Sequence, residues 1–500
     1  MPPSTQPLVL GIDVGTSAVK LLLVAPDGKV VAKTSKPYPA SSPQPGWSEQ
    51  NPEDWWDATC AGIRELLGQP GITPDRVACV GLTGQMHGMV PLDSSGQVIR
   101  PAILWNDQRS HAQCEALHAS LGRERVIATT GKPMLPGFTA PKVLWMRDHE
   151  PDLHARIATV LLPKDYVRYR LAGVFASDVA GSSGTSYLDL SSRRWAGDLL
   201  AATGLNDSNV PTLHESPEVC AQISESAAQS CGLNPGTPIV AGAGDQAAEG
   251  VGSGIVRSGA VSVAVGTSGV AFAATDAASP DPTGSIHSYC SAVPGGHHVM
   301  GVMLSAGGSF NWCVDALYPD LGDDSSPHAT VLRRIEPIEP GAAGLTFLPY
   351  LTGERCPHPD PRARGAFVGL TPAHTRDHMA RAVLEGVAYG LRDLIGLIPD
   401  TRAPSESIRV TGGLTRSSFF RQLCADVWNV TVTAPEASEG AAYGAAVLAL
   451  VGAGLHESVE AAADALVRDA HRTRPGPDRD GYDERYSRYR SLYPALKGHF

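Results

Sequence analysis

The sequence predicts an α/β protein made of two halves built alike, and three observations carry that expectation. The chain opens with three apolar runs, Leu8 to Ile12, Val19 to Val24 and Lys29 to Thr34, separated by the turns Gly15-Thr16-Ser17 and Pro26-Asp27-Gly28. About halfway along, Val265-Gly266-Thr267-Ser268 stands in a second apolar–turn–apolar unit, and Val14, Gly15, Thr16, Ser17 and Val19 each match a residue 251 positions later. The 500 residues are enough for two domains of about 250 each. A period this long is too great for a solenoid and reads as a duplicated domain.

In chain order, the first three runs read as strands, and the polar, Pro-rich stretch Pro37 to Ser48 reads as a loop. Asn51-Pro52-Glu53 supplies a cap, a proline at the first helical position and an acid near the positive end of a helix that runs to Leu67. Val77 to Leu82 is expected as a buried strand ending at Thr83-Gly84-Gln85-Met86-His87-Gly88. Met89 to Leu92 returns as a strand, and Pro101 to Trp105 leads to Asn106-Asp107. Helices are expected over Thr139 to Asp148 and Pro163 to Leu171, and the Ser/Gly-rich Phe175 to Asp189 is expected as a loop. Pro238 to Ala243 reads as a strand, after which Gly244-Asp245-Gln246 opens a helix. The boundary between halves falls near Ser253 to Ser258, giving domains 1–253 and 254–500. The second half adds a loop at Ala277 to Gly284, a helix or turn at Ser305 to Ser309, a helix at Asp377 to Leu397 and a strand, Ile408 to Thr411, before Gly412-Gly413. Gly440 to Leu455 is shorter than a spanning helix and rich in small residues, so a tightly packed buried helix is expected. Ala441-Ala442-Tyr443-Gly444 at its start echoes Ala247-Ala248-Glu249-Gly250. Tyr482, Tyr486, Tyr489 and Tyr493 fall at helical spacing and mark a final helix docked on the body.

Composition narrows the function classes. A hydrophobic content of 42% with 18% charged residues supports full cores. The formal net charge of −11 argues against nucleic acid or an anionic membrane surface as partner. Nine scattered cysteines without a C-x-x-C pair read as reduced thiols of a cytoplasmic protein. Met1 to Pro7 has neither the basic nor the apolar region of a leader peptide.

Two strands joined at Gly15-Thr16-Ser17 bring backbone N–H groups and two hydroxyls to one tip, with the carboxylate of Asp13 beside them. Such a tip suits a phosphate with its metal, the acid holding Mg2+ through water. No G-x-x-x-x-G-K-[ST] loop occurs, so this is not a Walker A site. In the repeat the counterpart of Asp13 is Ala264. Two phosphate-type turns with one acid suggest two domains closing on one nucleotide. Asp245, after a strand and before a helix, is either a helix cap or a general base for a hydroxyl attacking a terminal phosphate; the two roles are compatible. Met86 and His87 offer an apolar surface and an imidazole to a small polar ligand, although a histidine after a strand often serves only its own loop. Gly412-Gly413 lets a backbone approach a flat ring such as adenine, or simply turns. Cys356-Pro357-His358 and His297-His298 lack partners at metal-site spacings, and no G-x-S-x-G elbow or early G-x-G-x-x-G is present.

Taken together, Gly11 to Ser17 with Lys20, Gly84 to Gly88, Pro101 to Asp107, Gly242 to Ala248, Gly266 to Gly269, Phe347 to Leu351 with Gly353-Glu354-Arg355, Thr411 to Gly413 and Glu436 to Ala442 resemble the FGGY carbohydrate kinases of the actin/Hsp70/sugar-kinase superfamily. The Gln85-Met86-His87-Gly88 stretch is similar to the xylulokinase branch of that family. The resemblance implies two RNase H-like domains with an active-site cleft between them, ATP and Mg2+ as cofactors, and D-xylulose as the sugar, phosphorylated at O5. By family habit it also suggests a homodimer. Residue by residue, it implies Asp13 as the Mg-associated acid and Asp245 as catalytic base. Met86, His87, Asp245 and Gln246 correspond to sugar contacts. Thr16, Ser17, Lys20, Gly266, Thr267, Gly307, Gly308, Gly412 and Gly413 lie on the nucleotide side. Two other readings stay open: a kinase for another ketose or polyol, such as D-ribulose, a pentitol or glycerol, and a nucleotide- or sugar-binding protein without catalysis.

Overall fold

The computed structural model describes residues 6–322, 324–398, 406–435 and 440–500. Two seven-stranded sheets organise it. The first half supplies β1 (Leu8–Val14), β2 (Ala18–Val24), β3 (Val30–Pro37), helix α1 (Pro52–Leu67), β4 (Val77–Gly84), helices α2 (Thr139–His149) and α3 (Pro163–Ala172), β5 (Val219–Gln222), β6 (Pro238–Val240), β7 (Ala243–Gly244) and helix α4 (Asp245–Gly252). The second half supplies β8 (Val261–Val265), β9 (Gly269–Thr275), β10 (His287–Cys290), β11 (His297–Met303), helices α5 (Gly307–Leu317) and α6 (Arg376–Leu397), β12 (Ser407–Thr411), α7 (Ser418–Trp428), β13 (Thr431–Pro435), α8 (Gly440–Gly452), α9 (Val459–Leu466), β14 (Asp469–Thr473) and α10 (Arg479–Leu496).

The sheets share one topology. In the first, the order is β5-β6-β4-β1-β2-β3, with β7 also beside β4. β1, β2 and β3 form an antiparallel meander, while β4 and β6 add in parallel on the other side of β1. In the second the order is β10-β11-β9-β8-β12-β13-β14. Here too an antiparallel set, β8-β9-β11, meets parallel strands β12 and β13. The two tips differ in register by one residue: Asp13 lies opposite Lys20 on β2 and Thr83 on β4, whereas its counterpart Ala264 lies opposite Val270, the counterpart of Val19, and Thr411.

The local signals act as expected at several points. Asn51 caps α1 by accepting from the Glu53 N–H, with Pro52 in the first turn. The tyrosine stripe lies on α10, where Tyr482 and Tyr489 are buried. Phe175 to Asp189 departs from the loop expectation: it contains a strand, Ala176–Asp178, and a helical turn, Val179–Ser182. Several of its polar residues are buried and bonded inward. Ser177 donates to Asp165, and Asp178 accepts from the Gly181 N–H while pairing with Lys164. A Ser/Gly-rich composition therefore marks close internal packing here, not exposure to water.

Each sheet has its own apolar core, and a third core joins the halves. Helix α8, whose residues Ala441 to Leu450 are all buried, packs with α9 against Val9, Leu22, Val24, Cys79 and Val240 of the first sheet and Ala247, Ala248 and Val251 of α4. Small residues let these backbones touch. A Cβ on Gly81 would lie 2.0 Å from the Ala445 carbonyl oxygen, and one on Gly444 would lie 1.8 Å from that of Ala248. Among the described residues, no helix is long and apolar enough to cross a membrane.

Candidate active site

The two strand-to-strand turns and the ends of the parallel strands lie on one side of the molecule. The first turn, Gly15-Thr16-Ser17, is held by a polar network. The Gln50 amide donates to the Thr16 carbonyl at 2.7 Å, Gln85 donates to the Gly15 carbonyl at 3.3 Å, and the Tyr38 hydroxyl reaches the same carbonyl at 2.5 Å. The Thr16 hydroxyl accepts from the Trp105 indole at 3.0 Å and donates to Gln85 at 3.4 Å, while Ser17 is exposed at the tip.

Behind this turn three carboxylates converge. Asp13 lies next to the end of β1 and is buried, Asp245 opens α4, and Glu249 follows one turn later on the same helix face. Burial raises the Asp13 pKa to about 6; Lys20 opposes the shift and Glu249 adds to it. Asp245 is raised to about 7, first by desolvation and then by the negative charge of Asp13. Glu249 is raised by desolvation, and its carboxylate accepts from the Thr411 hydroxyl of the second half at 3.4 Å. The Asp245 carboxylate accepts from the Gln246 N–H at 2.8 Å and makes no bond that caps the helix from outside.

A cavity of about 690 Å3 opens in front of these acids, lined by Asp13, Lys20, Asp245, Gln246, Gly266, Thr411, Gly412 and Gly413, so both halves build its wall. It adjoins a second cavity of about 750 Å3 that shares Gly266 and Gly413 and continues over Thr267, Gly307, Asn311 and Ser417. Gly307 and Gly308 also carry the second turn: their N–H groups donate to the carbonyls of Gly266 at 2.8 Å and Thr267 at 2.9 Å. Gly412 has a φ of +102° and sits against Val265, which closes the strand end and leaves Gly413 facing open space.

Met86 and His87 lie on the other side of Asp245. Met86 is buried against Gly244, Phe272 and Tyr289. His87 has a φ of +68°, uncommon for a residue with a Cβ, and its surroundings over-determine it. Its carbonyl accepts from Lys142 at 2.9 Å and Thr139 at 3.0 Å, and its Nδ1 lies 2.6 Å from the Gly184 carbonyl. A carbonyl can only accept, so Nδ1 carries the proton. Burial holds the ring pKa well below the usual histidine value, so Nε2 is left as an acceptor. Lys132 is wholly buried, donates to the Ser183 and Thr130 carbonyls at 2.7 Å and lies over the Tyr289 ring, which completes this side.

The donor set fits a phosphate-bound divalent cation. Asp13 Oδ1 is buried without a hydrogen-bond partner. Among the described residues, no group of three or more acidic, His or Cys side chains is spaced to hold an ion by itself. One orphaned carboxylate suits a cation that keeps several waters and rides on phosphate oxygens.

Comparison with known proteins agrees with this arrangement. The profile of the FGGY family of carbohydrate kinases, N-terminal domain, matches residues 8–252, and that of its C-terminal domain matches residues 261–453. The chain belongs to the FGGY family of carbohydrate kinases. Xylulose kinase of Escherichia coli is 39% identical over 490 residues, covering 98% of this chain and 99% of the relative. Xylulose kinase of Bacillus subtilis is 36% identical, covering 98% and 97%. The ligand-bound xylulose kinase structure from Lactobacillus acidophilus superimposes with a TM-score of 0.92 at 29% identity, covering 98% of both chains.

As a carbohydrate kinase of this family the chain uses ATP and a divalent metal. Of the residues expected from sequence, one cavity collects Asp13, Lys20, Asp245, Gln246, Gly266, Gly412 and Gly413, its neighbour collects Thr267 and Gly307, and Met86 and His87 lie behind Asp245. Glu436 to Glu439 of the sequence resemblance lie outside the described residues. Sequence reasoning did not single out Gln50, Tyr38, Lys132, Lys142 and Glu249. Only Glu249 carried a usable signal, its four-residue spacing from Asp245.

Proposed function

We propose that the enzyme transfers the γ-phosphoryl group of ATP to O5 of D-xylulose, with Asp245 as general base and Mg2+ as the metal. The observation that carries the role of Asp245 is its position: a carboxylate with a pKa near neutrality, on the wall of the cavity that also holds Asp13 and the second turn at Gly266. The sugar reading rests on the relatives named xylulose kinase at 36–39% identity over almost the whole chain.

In this reading 1–253 and 254–500 act as two domains around one cleft. His87 Nε2 accepts a sugar hydroxyl, Gln246 offers its amide, and Met86 supplies an apolar wall. Asp245 takes the proton from O5 as that oxygen bonds to the γ-phosphorus and the bond from phosphorus to the bridging oxygen breaks, releasing ADP. Thr16, Ser17 and Thr267 with the N–H groups of both turns hold phosphate oxygens, Lys20 adds a positive charge, and Gly412-Gly413 and Gly307-Gly308 border the nucleoside. Asp13 would hold the metal, which would supply neutralisation of the phosphate charge. Closing the cleft excludes water, the competing nucleophile.

The test is ADP formation from Mg·ATP with D-xylulose, D-ribulose, xylitol and glycerol supplied separately. Turnover with D-xylulose well above the others is expected; equal or greater turnover with another sugar would move the substrate and leave the mechanism. Asp245→Asn is expected to lower kcat by roughly 10²–10⁴ while ADP still binds. Substantial turnover in that variant would remove the base assignment.

A further inference from the structure

We propose that a pocket far along the second half, between the loop at Gly341–Leu345, α6 and α10, binds a small phosphate-bearing anion. The pocket has a volume of about 450 Å3, and its wall shares no residue with the two cleft cavities. Three features point to the ligand's charge.

The first is the state of the arginines. Around α6 and α10, Arg381 pairs with Glu385, Arg392 with Asp483, Arg479 with Asp480 and Arg490 with Asp393. Arg485 and Arg488, which line the pocket, have no carboxylate partner among the described residues. One turn apart on α10, Arg485 with its guanidinium over the Tyr482 ring and Arg488 exposed, the two present donors suited to phosphate oxygens.

The second is an orphaned donor. Tyr389 on α6 lines the same pocket and is 3% exposed, yet its hydroxyl has no hydrogen-bond partner. A buried hydroxyl left unpaired is destabilising. The Glu385 carboxylate is the strongest charge acting on it, and the charge of Arg485 opposes that. A phosphate oxygen between Arg485 and Tyr389 would satisfy both.

The third is that the buried acid of this wall is already engaged. Glu385 is neutralised by Arg381 at 2.8 Å, and the same oxygen accepts from the Gly341 N–H at 2.9 Å and the Tyr482 hydroxyl at 3.2 Å. Glu484 is exposed at the rim and makes no ion pair among the described residues. The pocket floor is firm: Gly341, Ala342, Ala343 and Gly344 all hold positive φ, which the two alanines adopt only under constraint.

Crystals grown with Mg·ADP filling the catalytic cleft and soaked in sodium tungstate test the site directly. An anomalous peak between Arg485, Arg488 and the Tyr389 hydroxyl is expected; a map with tungstate elsewhere but none there overturns the proposal. In solution, with Mg·ADP saturating, inorganic phosphate and D-ribose 5-phosphate are titrated separately while the melting temperature is followed. A rise with either probe, with the apparent dissociation constant weakened at least tenfold in the R485Q/R488Q double variant, supports the site. No rise with either, or an equal rise in the double variant, overturns it. The kinase rate of that variant without added anion is expected to match the parent, since neither arginine lines the cleft.

Discussion

The two carboxylates proposed for catalysis would set their own pH limits. As the proposed base, Asp245 would have to be ionised to accept a proton, and its pKa of about 7 in the free enzyme would place the acid limb there. At subsaturating Mg·ATP, kcat/KM for the sugar is expected to fall about tenfold per pH unit below that limb. A flat profile from pH 5 to 8 would contradict it. The same shifts act on stability with a definite sign. Asp13 and Asp245 hold a proton more tightly folded than unfolded, so their contribution is complete below about pH 4 and is lost as pH rises through about 6 and then 7. Asp13→Asn is therefore expected to be more stable than the parent at pH 8, by a few kcal/mol at most, with the gap narrowing towards pH 4. Denaturant titrations at both pH values measure this. Asp13 and Asp245 were legible in the sequence because each follows an apolar run and precedes a turn or helix start. Gln50 and Lys132 were not. Each reaches its target across more than 30 residues of chain, Gln50 to Thr16 and Lys132 to Ser183, and no local spacing records such a contact.

At the level of elements, the helix that joins the two cores is the most sensitive part. α8 lies on β1 and β4 with no room for a side chain at Gly81. Gly81→Val is expected to force these layers apart and cost about 1–3 kcal/mol or more, read as a lowered denaturation midpoint. An unchanged midpoint would mean the contact is loose. The meanders β1-β2-β3 and β8-β9 were legible because short turns join strands that pair. The repeat exposed their kinship because both tips keep the same Val-Gly-Thr-Ser. The parallel partners were not legible: β4 joins β1, and β12 joins β8, across long intervening chain, and pairing of that kind leaves no mark in either strand. The run Gly440 to Leu455 read as a buried helix, which forms over Gly440–Gly452 with Ala441 to Leu450 buried, yet nothing in it named the sheet it covers. The stretch 175–189 misled for a related reason, since Ser and Gly favour turns equally well when buried and when exposed.

For the whole molecule, the two halves share one stability. α8 and α9 belong to the second half in sequence and to the first sheet in packing, so a chain ending at residue 253 leaves Val9, Leu22, Val24 and Cys79 uncovered. That fragment is expected to be insoluble alone and to be recovered in soluble form when residues 254–500 are expressed with it; a soluble, cooperatively melting fragment 1–253 would show the first half to be self-sufficient. The same packing sets a timetable for birth at the ribosome. The first sheet can form early, but its oily flank waits until the chain between Gly252 and Gly440 has been made and α8 has left the exit tunnel. At about 5–20 residues per second that interval is on the order of 10–40 s. During that time the nascent enzyme carries an unshielded face, and its yield in a cell should depend on what shelters that face until the last eighth of the message is read.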